Sequence, residues 1–349
     1  MSAEPRSDRF LRACRREPVD ATPVWFMRQA GRSLPEYRTI RERARLADIV
    51  ADAALCAEVS LQPVTRLGVD AAIVFADITT PLPGVGVAVE LVDGVGPVID
   101  APVRSAADIE CLRPFDAEAA VGPLLAAIRI LRRESPVPVI GFAGAPFTLA
   151  AYLIEGRSPR ELERTKTFMR TEPGAWAALL ERIVDLDLAY LRAQVAAGAQ
   201  ALQLFDSWVG SLSPYDYRAS VQPHVRRLFD GLRDLGVPTI HFGTGTAGLL
   251  EAMAEAGGDV IGLDWRVDLA DGRARVPGRA VQGNLDPTVL LGPWSSTETQ
   301  AGAILAAAGG RPGHVFNLGH GVLPPTDPDD LRRLVDLVHE RTARSVVPA

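Results

Sequence analysis

Polar and small residues recur directly after short apolar runs of this chain, and several are of types that bind or transfer charged groups. They are Arg28, Asp77, Gly144, Asp206, Ser207, Gly243, Thr244, Asp264, Gly283, Asn284, Gly319 and His320. Any one of them could simply end a strand. As a set at one end of several strands, they predict a cavity for a large polar ligand.

Two arginines, Arg28 and Arg32, favour carboxylate binding, because a guanidinium group offers a planar fork of N–H donors. Gly31 between them lets the backbone approach a ligand closely. His320 lies between two glycines, where an imidazole can bind a carboxylate or transfer a proton near neutral pH. Arginine abundance alone indicates nothing, since Lys166 is the only lysine and a coding bias explains the arginines.

The apolar runs themselves predict eight short strands that alternate with amphipathic helices. The strands are Pro23–Met27, Ala72–Ala76, Pro138–Phe142, Ala201–Phe205, Pro238–Phe242, Asp259–Leu263, Ala280–Gln282 and Val315–Leu318. Thr171 is predicted to cap one helix, and Thr326-Asp-Pro to open another. Continuously apolar strands in this alternation predict an α/β protein with a (β/α)8 TIM barrel, whose active site lies at the carboxyl ends of the strands. A doubly wound open sheet is the alternative, but no G-x-G-x-x-G follows the first strand.

The chain is longer than the roughly 250 residues of a typical barrel, so insertions are expected. Residues Pro83–Pro102, after the second strand, alternate like a β-hairpin that turns at Asp93-Gly94. No linker or low-complexity tract interrupts the sequence. Residues 1–349 are therefore predicted to form a single domain.

Composition narrows the function classes. The net charge of −6 argues against a dedicated nucleic-acid binder, so a polyanionic ligand would need locally concentrated positive charge. The N-terminus lacks the apolar core of a signal peptide, and no apolar run is long enough to span a membrane. Cys14, Cys56 and Cys111 show neither a disulfide framework nor a metal-binding spacing. We therefore expect a cytoplasmic protein without a metal site or membrane partner.

Two segments resemble the signatures of uroporphyrinogen decarboxylases: PVWFMRQAGRSLPEYR (Pro23–Arg38) and GFAGAPFTLAAYLIEG (Gly141–Gly156). Further similarity surrounds Asp77 (FADI), Ser207 (GAQALQLFDSW) and His320 (NLGHGVLPPT). The resemblance implies a homodimeric barrel enzyme without a cofactor. Such an enzyme converts the four acetate side chains of uroporphyrinogen III to methyl groups and yields coproporphyrinogen III. Asp206, where glutamate is more usual, and Trp208 depart from the family pattern.

The resemblance also implies roles for individual residues. Catalytic roles fall to Asp77, Arg28, His320 and Tyr152, and substrate binding to Arg28, Gln29, Ala30, Gly31, Arg32, Arg41, Asp77, Tyr152, Phe205, Ser207 and His320. Asp77 would stabilise the cation formed when a pyrrole carbon is protonated, with Asp206 as the alternative carboxylate on the rim. The proton donor stays open: an arginine, or a water or substrate carboxylic acid relayed past Arg28, because guanidinium is a reluctant acid. Structural alternatives also remain, with Asp77 as a helix cap, Tyr152 as a core residue and Arg41 as surface charge.

Three other functions can be compared with this one. A zinc-dependent methyltransferase on the same fold needs an H-x-C motif, but His241 is followed two residues later by Gly243, and no cysteine comes after it. A class I aldolase needs a buried strand lysine, whereas Lys166 lies in a charged helical stretch. A tetrapyrrole carrier without turnover stays open on composition alone.

Overall fold

The computed structural model describes residues 7–31, 33–92, 94–158 and 161–344, and strands in these ranges form two sheets. The strands are β1 (Ala72–Ile73), β2 (Val89–Val92), β3 (Gly96–Ile99), β4 (Val139–Gly144), β5 (Ala201–Asp206), β6 (Thr239–Gly243), β7 (Val260–Gly262), β8 (Ala280–Gln282) and β9 (His314–Val315). The main sheet is parallel, in the order β1-β4-β5-β6-β7-β8-β9. The protein is therefore an α/β protein built on a curled seven-stranded parallel sheet.

Helices connect these strands and cover the sheet. They are α1 (Arg9–Cys14), α2 (Pro35–Arg41), α3 (Leu46–Ala51), α4 (Ala53–Leu67), α5 (Ala106–Glu110), α6 (Ala117–Glu134), α7 (Pro146–Glu155), α8 (Glu163–Thr171), α9 (Pro173–Ala197), α10 (Pro214–Ser220), α11 (Gln222–Asp230), α12 (Leu250–Ala256), α13 (Leu269–Arg275), α14 (Trp294–Ala308) and α15 (Pro328–Thr342). In the described part of the chain, no helix is long and apolar enough to cross a membrane.

The predicted first strand, Pro23–Met27, forms a single parallel bridge between Val24 and Phe316 rather than a strand. Backbone hydrogen bonds join Pro23 and Trp25 to Phe316, and side chains supply other partners. The N–H of Val24 donates to Asp70 Oδ2 at 2.7 Å, and that of Met27 donates to Asn317 Oδ1 at 3.2 Å. The backbone N–H of Asp70 in turn donates to the Val24 carbonyl at 2.7 Å. This segment thus contacts both edges of the seven-stranded sheet.

Three other boundaries differ from the prediction. The last strand, predicted at Val315–Leu318, is β9 at His314–Val315, and Phe316 and Leu318 beyond it form only isolated bridges, with Val24 and Leu285. Strand β1 ends at Ile73 instead of Ala76, and the N–H of Phe75 donates to Ser60 Oγ on α4 rather than to a neighbouring strand. Thr171 does not cap α9. It is the last residue of α8, its hydroxyl donates to the Thr167 carbonyl, and Glu172 takes the N-cap position.

Strands β2 and β3 pair in antiparallel register from Val89–Ile99 to Val92–Gly96, inside the segment Pro83–Pro102. Of the two predicted turn residues, Asp93 lies outside the described residues. Gly94 has a φ of +78°, a backbone conformation that favours glycine. The N–H of Ile99 donates to the Gly156 carbonyl at the end of α7, which attaches this pair to the rest of the protein.

Candidate active site

The carboxyl-terminal edge of the main sheet, called the mouth below, carries Arg28 in an unusual backbone conformation. Its φ of +59° lies in the left-handed region, which is costly for a residue with a side chain. The Arg28 side chain is exposed and its stem lies against Gly321. A Cβ at position 321 would lie 2.8 Å from Arg28 Cγ and 2.5 Å from Cδ. Glycine at 321 therefore makes room for the arginine.

His320 lies in the same loop and is half-buried. Its Nδ1 accepts a hydrogen bond from the N–H of Gly321 at 2.7 Å, so in the neutral ring the proton resides on Nε2. The loop is held beside Arg28, because the N–H of Val322 donates to the Met27 carbonyl at 2.9 Å. Arg28 and His320 thus share one part of the mouth.

Asp77 is half-buried just beyond β1, and Thr79 orients its carboxylate. Oδ1 accepts from the N–H of Thr79 at 2.9 Å and from its hydroxyl at 2.6 Å. No group in the described ranges donates a hydrogen bond to the second oxygen, Oδ2. One Asp77 oxygen therefore holds a turn rather than capping a helix, and its role toward a substrate stays a prediction.

Tyr152 on α7 is buried, and its hydroxyl contacts Ser158. Burial raises the pKa of its hydroxyl, the Asp77 carboxylate adds to the rise, and Ser158 and Arg28 oppose it. The hydroxyl lies 3.4 Å from Ser158 Oγ. The Tyr152 ring packs against Trp208 with centroids 6.2 Å apart, in the loop that contains Ser207. The core alternative is thus correct for the Tyr152 ring, which is buried.

Strand β5 brings Phe205 and Ser207 to the mouth. Phe205 is half-buried in a row of edge-to-face aromatic contacts, 5.5 Å from Phe142 and 6.1 Å from Phe242 between ring centroids. Ser207 is half-buried, and its carbonyl accepts from the Thr244 hydroxyl at 2.6 Å. An apolar wall therefore lies beside the polar groups.

The remaining predicted residues near Arg28 differ in what they contact. Gln29 is fully buried. Its Oε1 accepts from the N–H of Phe26 at 3.0 Å, and its Nε2 donates to the Ala71 carbonyl at 2.9 Å. Its side chain therefore braces the backbone of this segment, and substrate binding at Gln29 stays a prediction. Arg32 lies outside the described residues.

Ala30 is half-buried, and Gly31 has a φ of +114°, which requires glycine at this position for backbone reasons. Arg41 ends α2 and is half-buried, with Nη1 donating to the Ala44 carbonyl at 2.9 Å.

Asp206 does not belong to the rim, contrary to its place as the alternative carboxylate. It is fully buried behind the sheet, where its Oδ1 accepts from the Thr148 hydroxyl at 3.0 Å and its Oδ2 lies 3.5 Å from His241 Nε2. Side chains alternate between the two faces of a strand, so Asp206 and the half-buried Phe205 point in opposite directions. His241, the histidine of the methyltransferase alternative, packs behind the sheet against Phe229.

Two residues of the site were not predicted: Thr79 and Gly321. An aspartate followed two positions later by threonine is a recognisable turn pattern, so Asp77–Thr79 could have been found in the sequence. Asp264, a predicted rim residue, is buried and accepts from the backbone N–H groups of Gly245 and Arg266. Within residues 7–31, 33–92, 94–158 and 161–344, no three His, Cys, Asp or Glu side chains form a potential metal-binding group.

Comparison with known proteins identifies the family. Residues 5–341 match the family profile described as "Uroporphyrinogen decarboxylase (URO-D)". A uroporphyrinogen decarboxylase of Thermus thermophilus is 55% identical over 337 residues, which cover 97% of this chain and 99% of the relative. That of Sorangium cellulosum is 56% identical over 335 residues, covering 95% and 96% of the two chains.

Solved structures show the same fold at lower sequence identity. A methyltransferase from Methanosarcina mazei has a TM-score of 0.80 at 20% identity and covers 95% of this chain and 98% of its own. A B12-independent methionine synthase from Shewanella reaches a TM-score of 0.57 at 12% identity, with coverage of 85% and 89%. These similarities concern the fold alone. The family match covers nearly the whole chain, and the chain belongs to the uroporphyrinogen decarboxylase family.

Proposed function

We propose that this protein is a carboxy-lyase that decarboxylates the four acetate side chains of uroporphyrinogen III to methyl groups, giving coproporphyrinogen III in tetrapyrrole (heme) biosynthesis. One observation carries the proposal beyond family membership. The Asp77 carboxylate held by Thr79, Arg28 beside the His320 loop, and the Tyr152 hydroxyl all follow strands at the carboxyl-terminal edge of the sheet, so the mouth offers an anion, a cation and a hydroxyl donor.

The reaction needs a place for the electron pair left when CO2 departs. Protonation of a pyrrole carbon gives a cation conjugated with the acetate-bearing carbon. The carbon–carboxylate bond then breaks, and its electron pair neutralises the ring and leaves an exocyclic methylene group. A second proton completes the methyl group, and the first proton leaves the ring carbon, so that the pyrrole is restored with a net uptake of one proton per CO2. Asp77 Oδ2 would accept hydrogen bonds from the pyrrole N–H groups and gain strength as the ring becomes positive. No cofactor is needed in this sequence of steps.

The other residues bind and position the substrate in this proposal. Arg28, with Arg32 and Arg41, would hold substrate carboxylates, and Tyr152, Ser207 and the Nε2–H of His320 would donate to them. Phe205 would contact the tetrapyrrole ring. Gln29 takes part indirectly, since it braces the segment that carries Arg28, Ala30 and Gly31. The first proton comes from a water or a substrate carboxylic acid near Arg28, because guanidinium holds its protons tightly.

We also propose the closed form of the fold. Residues Pro23–Met27 would occupy the eighth position of a (β/α)8 barrel, supported by their hydrogen bonds toward Phe316 on one side and Asp70 on the other. The β2–β3 pair would be an insertion in a single domain covering residues 1–349. We further propose a cytoplasmic homodimer with adjacent mouths, whose light-scattering mass would be twice 37.4 kDa.

The test of the function is turnover by the purified protein. Under reducing conditions with EDTA, uroporphyrinogen III should lose four CO2 per molecule and accumulate as coproporphyrinogen III. Unchanged substrate that stays bound would instead identify a tetrapyrrole carrier. Activity that disappears with EDTA and returns with one specific metal would contradict a metal-free mechanism.

A further inference from the structure

The amino-terminal edge of the main sheet, opposite the mouth, contains a pocket of about 450 Å³ lined largely by arginines. Four of its seven lining residues, Arg15, Arg16, Arg273 and Arg279, are arginines, and we call this group the arginine pocket. Gly278 and Arg279 immediately precede β8, and Pro312 lies just before β9. Since the strands are parallel, this pocket is separated from the candidate active site by the length of the sheet.

The arginines of the arginine pocket have no ion-pair partners among residues 7–31, 33–92, 94–158 and 161–344. Arg9, Arg192, Arg218 and Arg275, among others, form ion pairs with Asp or Glu. In the described ranges, no carboxylate pairs in this way with the four arginines of the pocket. Such a concentration of positive charge is unexpected in a chain with a net charge of −6.

Arg273 has an unpaired hydrogen-bond donor and lies near other positive charges. Its Nη1 is buried without a hydrogen-bond partner among the described residues, while Nη2 donates to the Pro312 carbonyl. Burial lowers the pKa of the guanidinium, and repulsion from Arg311 and Arg16 lowers it further. A buried, unpaired donor among like charges is destabilising unless something accepts from it.

Arg279 of the pocket and the nearby Arg311 also have structural roles, but these use only some of their N–H groups. Arg279 Nη2 donates to the Ala254 carbonyl, and Arg311 Nε donates to the Ala308 carbonyl, so both stabilise helix ends. Each guanidinium carries five N–H donors, and these contacts use only one or two of them. Arg15 and Arg16 are exposed, and their side chains make no such contact with the backbone of any residue that the structure describes.

We infer that the arginine pocket is a second anion-binding site, for a small ligand carrying a phosphate or diphosphate group. A carboxylate offers two oxygens in one plane and is satisfied by one guanidinium fork. A phosphate group offers oxygens in several directions, which suits several forks that converge from different chain segments. The volume lies within the range of small-molecule sites. This inference is independent of the reaction proposed for the mouth.

Inorganic pyrophosphate is the probe, with calorimetric titration of the intact protein at constant ionic strength. Wild type should bind one pyrophosphate per chain. Arg15→Gln/Arg16→Gln should weaken this binding about tenfold or more, because charge-assisted hydrogen bonds are lost. The matched control Arg129→Gln/Arg233→Gln has the same net charge and alters only exposed ion pairs, so it should bind as wild type does.

Further arms separate the possible sources of a signal. Arg273→Gln should also weaken binding, and Arg28→Gln at the mouth should not. No binding to wild type, or equal affinity in the pocket variant, would overturn the inference. Loss of binding in Arg28→Gln alone would locate the anion at the mouth and likewise overturn it. Citrate that binds as tightly as pyrophosphate would contradict the assignment to phosphate.

Discussion

At the scale of single residues, the site depends on a few side chains that hold charged groups in place without charge of their own. Thr79 fixes one oxygen of Asp77, and Gly321 leaves space for the stem of Arg28. Arg28 needs that space because its left-handed backbone directs the side chain across the His320 loop. Uncharged neighbours such as Thr79 and Gly321 determine where the charged groups lie, and catalysis depends on those positions.

Gly321→Ala tests this directly. The added methyl group would displace Arg28, while the φ of Gly321 is not in the left-handed region, so the backbone should accept alanine. We expect kcat/KM to fall about 10- to 100-fold, the equivalent of one charge-assisted carboxylate contact. Gly174→Ala, where a Cβ meets no atom within 4 Å, is the matched control.

A double-mutant cycle with Arg28→Gln distinguishes displacement of the arginine from a direct clash with substrate. If Gly321→Ala acts through Arg28, it should add little once Arg28 is gone. Fully additive losses, or normal kinetics in Gly321→Ala, would contradict this account of Arg28.

Sequence patterns located Arg28, Asp77 and His320 because polar residues after apolar strands reach one edge of a parallel sheet. They could not assign Asp206 correctly, since a shift of one residue decides whether a side chain faces the mouth or lies behind the sheet. Nor did the sequence predict that the side chain of Gln29 is buried. Its amide satisfies two backbone groups from separate segments, and that pairing depends on tertiary structure.

At the scale of elements, buried polar side chains stabilise the short strands of the sheet in addition to the backbone hydrogen bonds between strands. His314 on β9 is an example, because its Nε2 contacts the Gly283 carbonyl at 2.9 Å from inside the core. Burial lowers the pKa of this imidazole to about 4, the hydrogen bond to Gly283 partly opposes the shift, and Arg273 adds to it.

This lowered pKa predicts how stability changes with pH. The unfolded chain takes up a proton on His314 below about pH 6.5, whereas the folded chain does so only near pH 4. The neutral ring therefore contributes stability above pH 6.5 that is lost as pH falls toward 4, at most about 3 kcal/mol. Denaturant unfolding at pH 7 and pH 5 should show this loss in wild type, and a smaller loss in His314→Gln. Equal losses in both proteins would contradict it.

Element boundaries show what periodicity can and cannot predict. Apolar runs predicted the ends of β4, β5, β6 and β8 within one or two residues, because a buried parallel strand has a nearly continuous apolar sequence. Pro23–Met27 is equally apolar, yet two of its backbone N–H groups donate to the side chains of Asp70 and Asn317, which are distant in the sequence. Such partners become visible only in the folded chain.

At the scale of the whole molecule, Asp70 joins the two ends of the described chain to the sheet. Its side chain accepts from the N–H of Val24, from Arg9 on α1 at 2.7 Å, and lies 2.7 Å from His339 on α15. Because Asp70 is only 4% exposed, these contacts replace water almost completely. The residue lies at the amino-terminal edge, away from the mouth.

Asp70→Ala should therefore lower the free energy of unfolding by about 3 kcal/mol, since it leaves a buried N–H and a partly buried Arg9 without their acceptor. Asp70→Asn should cost less, because an amide oxygen can still accept from Val24. Asp329→Ala, which removes an exposed ion pair with Arg66, should change stability by less than about 1 kcal/mol. Similar unfolding midpoints for Asp70→Ala and Asp329→Ala would show that Asp70 does not join these elements.

The central claim is that the Asp77 carboxylate stabilises positive charge on the substrate ring, and single-turnover decarboxylation by Asp77→Asn tests it most directly. The amide keeps the shape and can still accept from Thr79, so the fold should persist. Loss of one preorganised charge should lower the rate about 100- to 1000-fold, and coproporphyrinogen binding should weaken less, since neutral pyrrole N–H groups can donate to an amide oxygen. Thr79→Val keeps the Asp77 charge but removes the hydroxyl that orients the carboxylate, so it should lower the rate less than Asp77→Asn does. A folded Asp77→Asn enzyme that keeps more than about a tenth of the wild-type rate would contradict the claim.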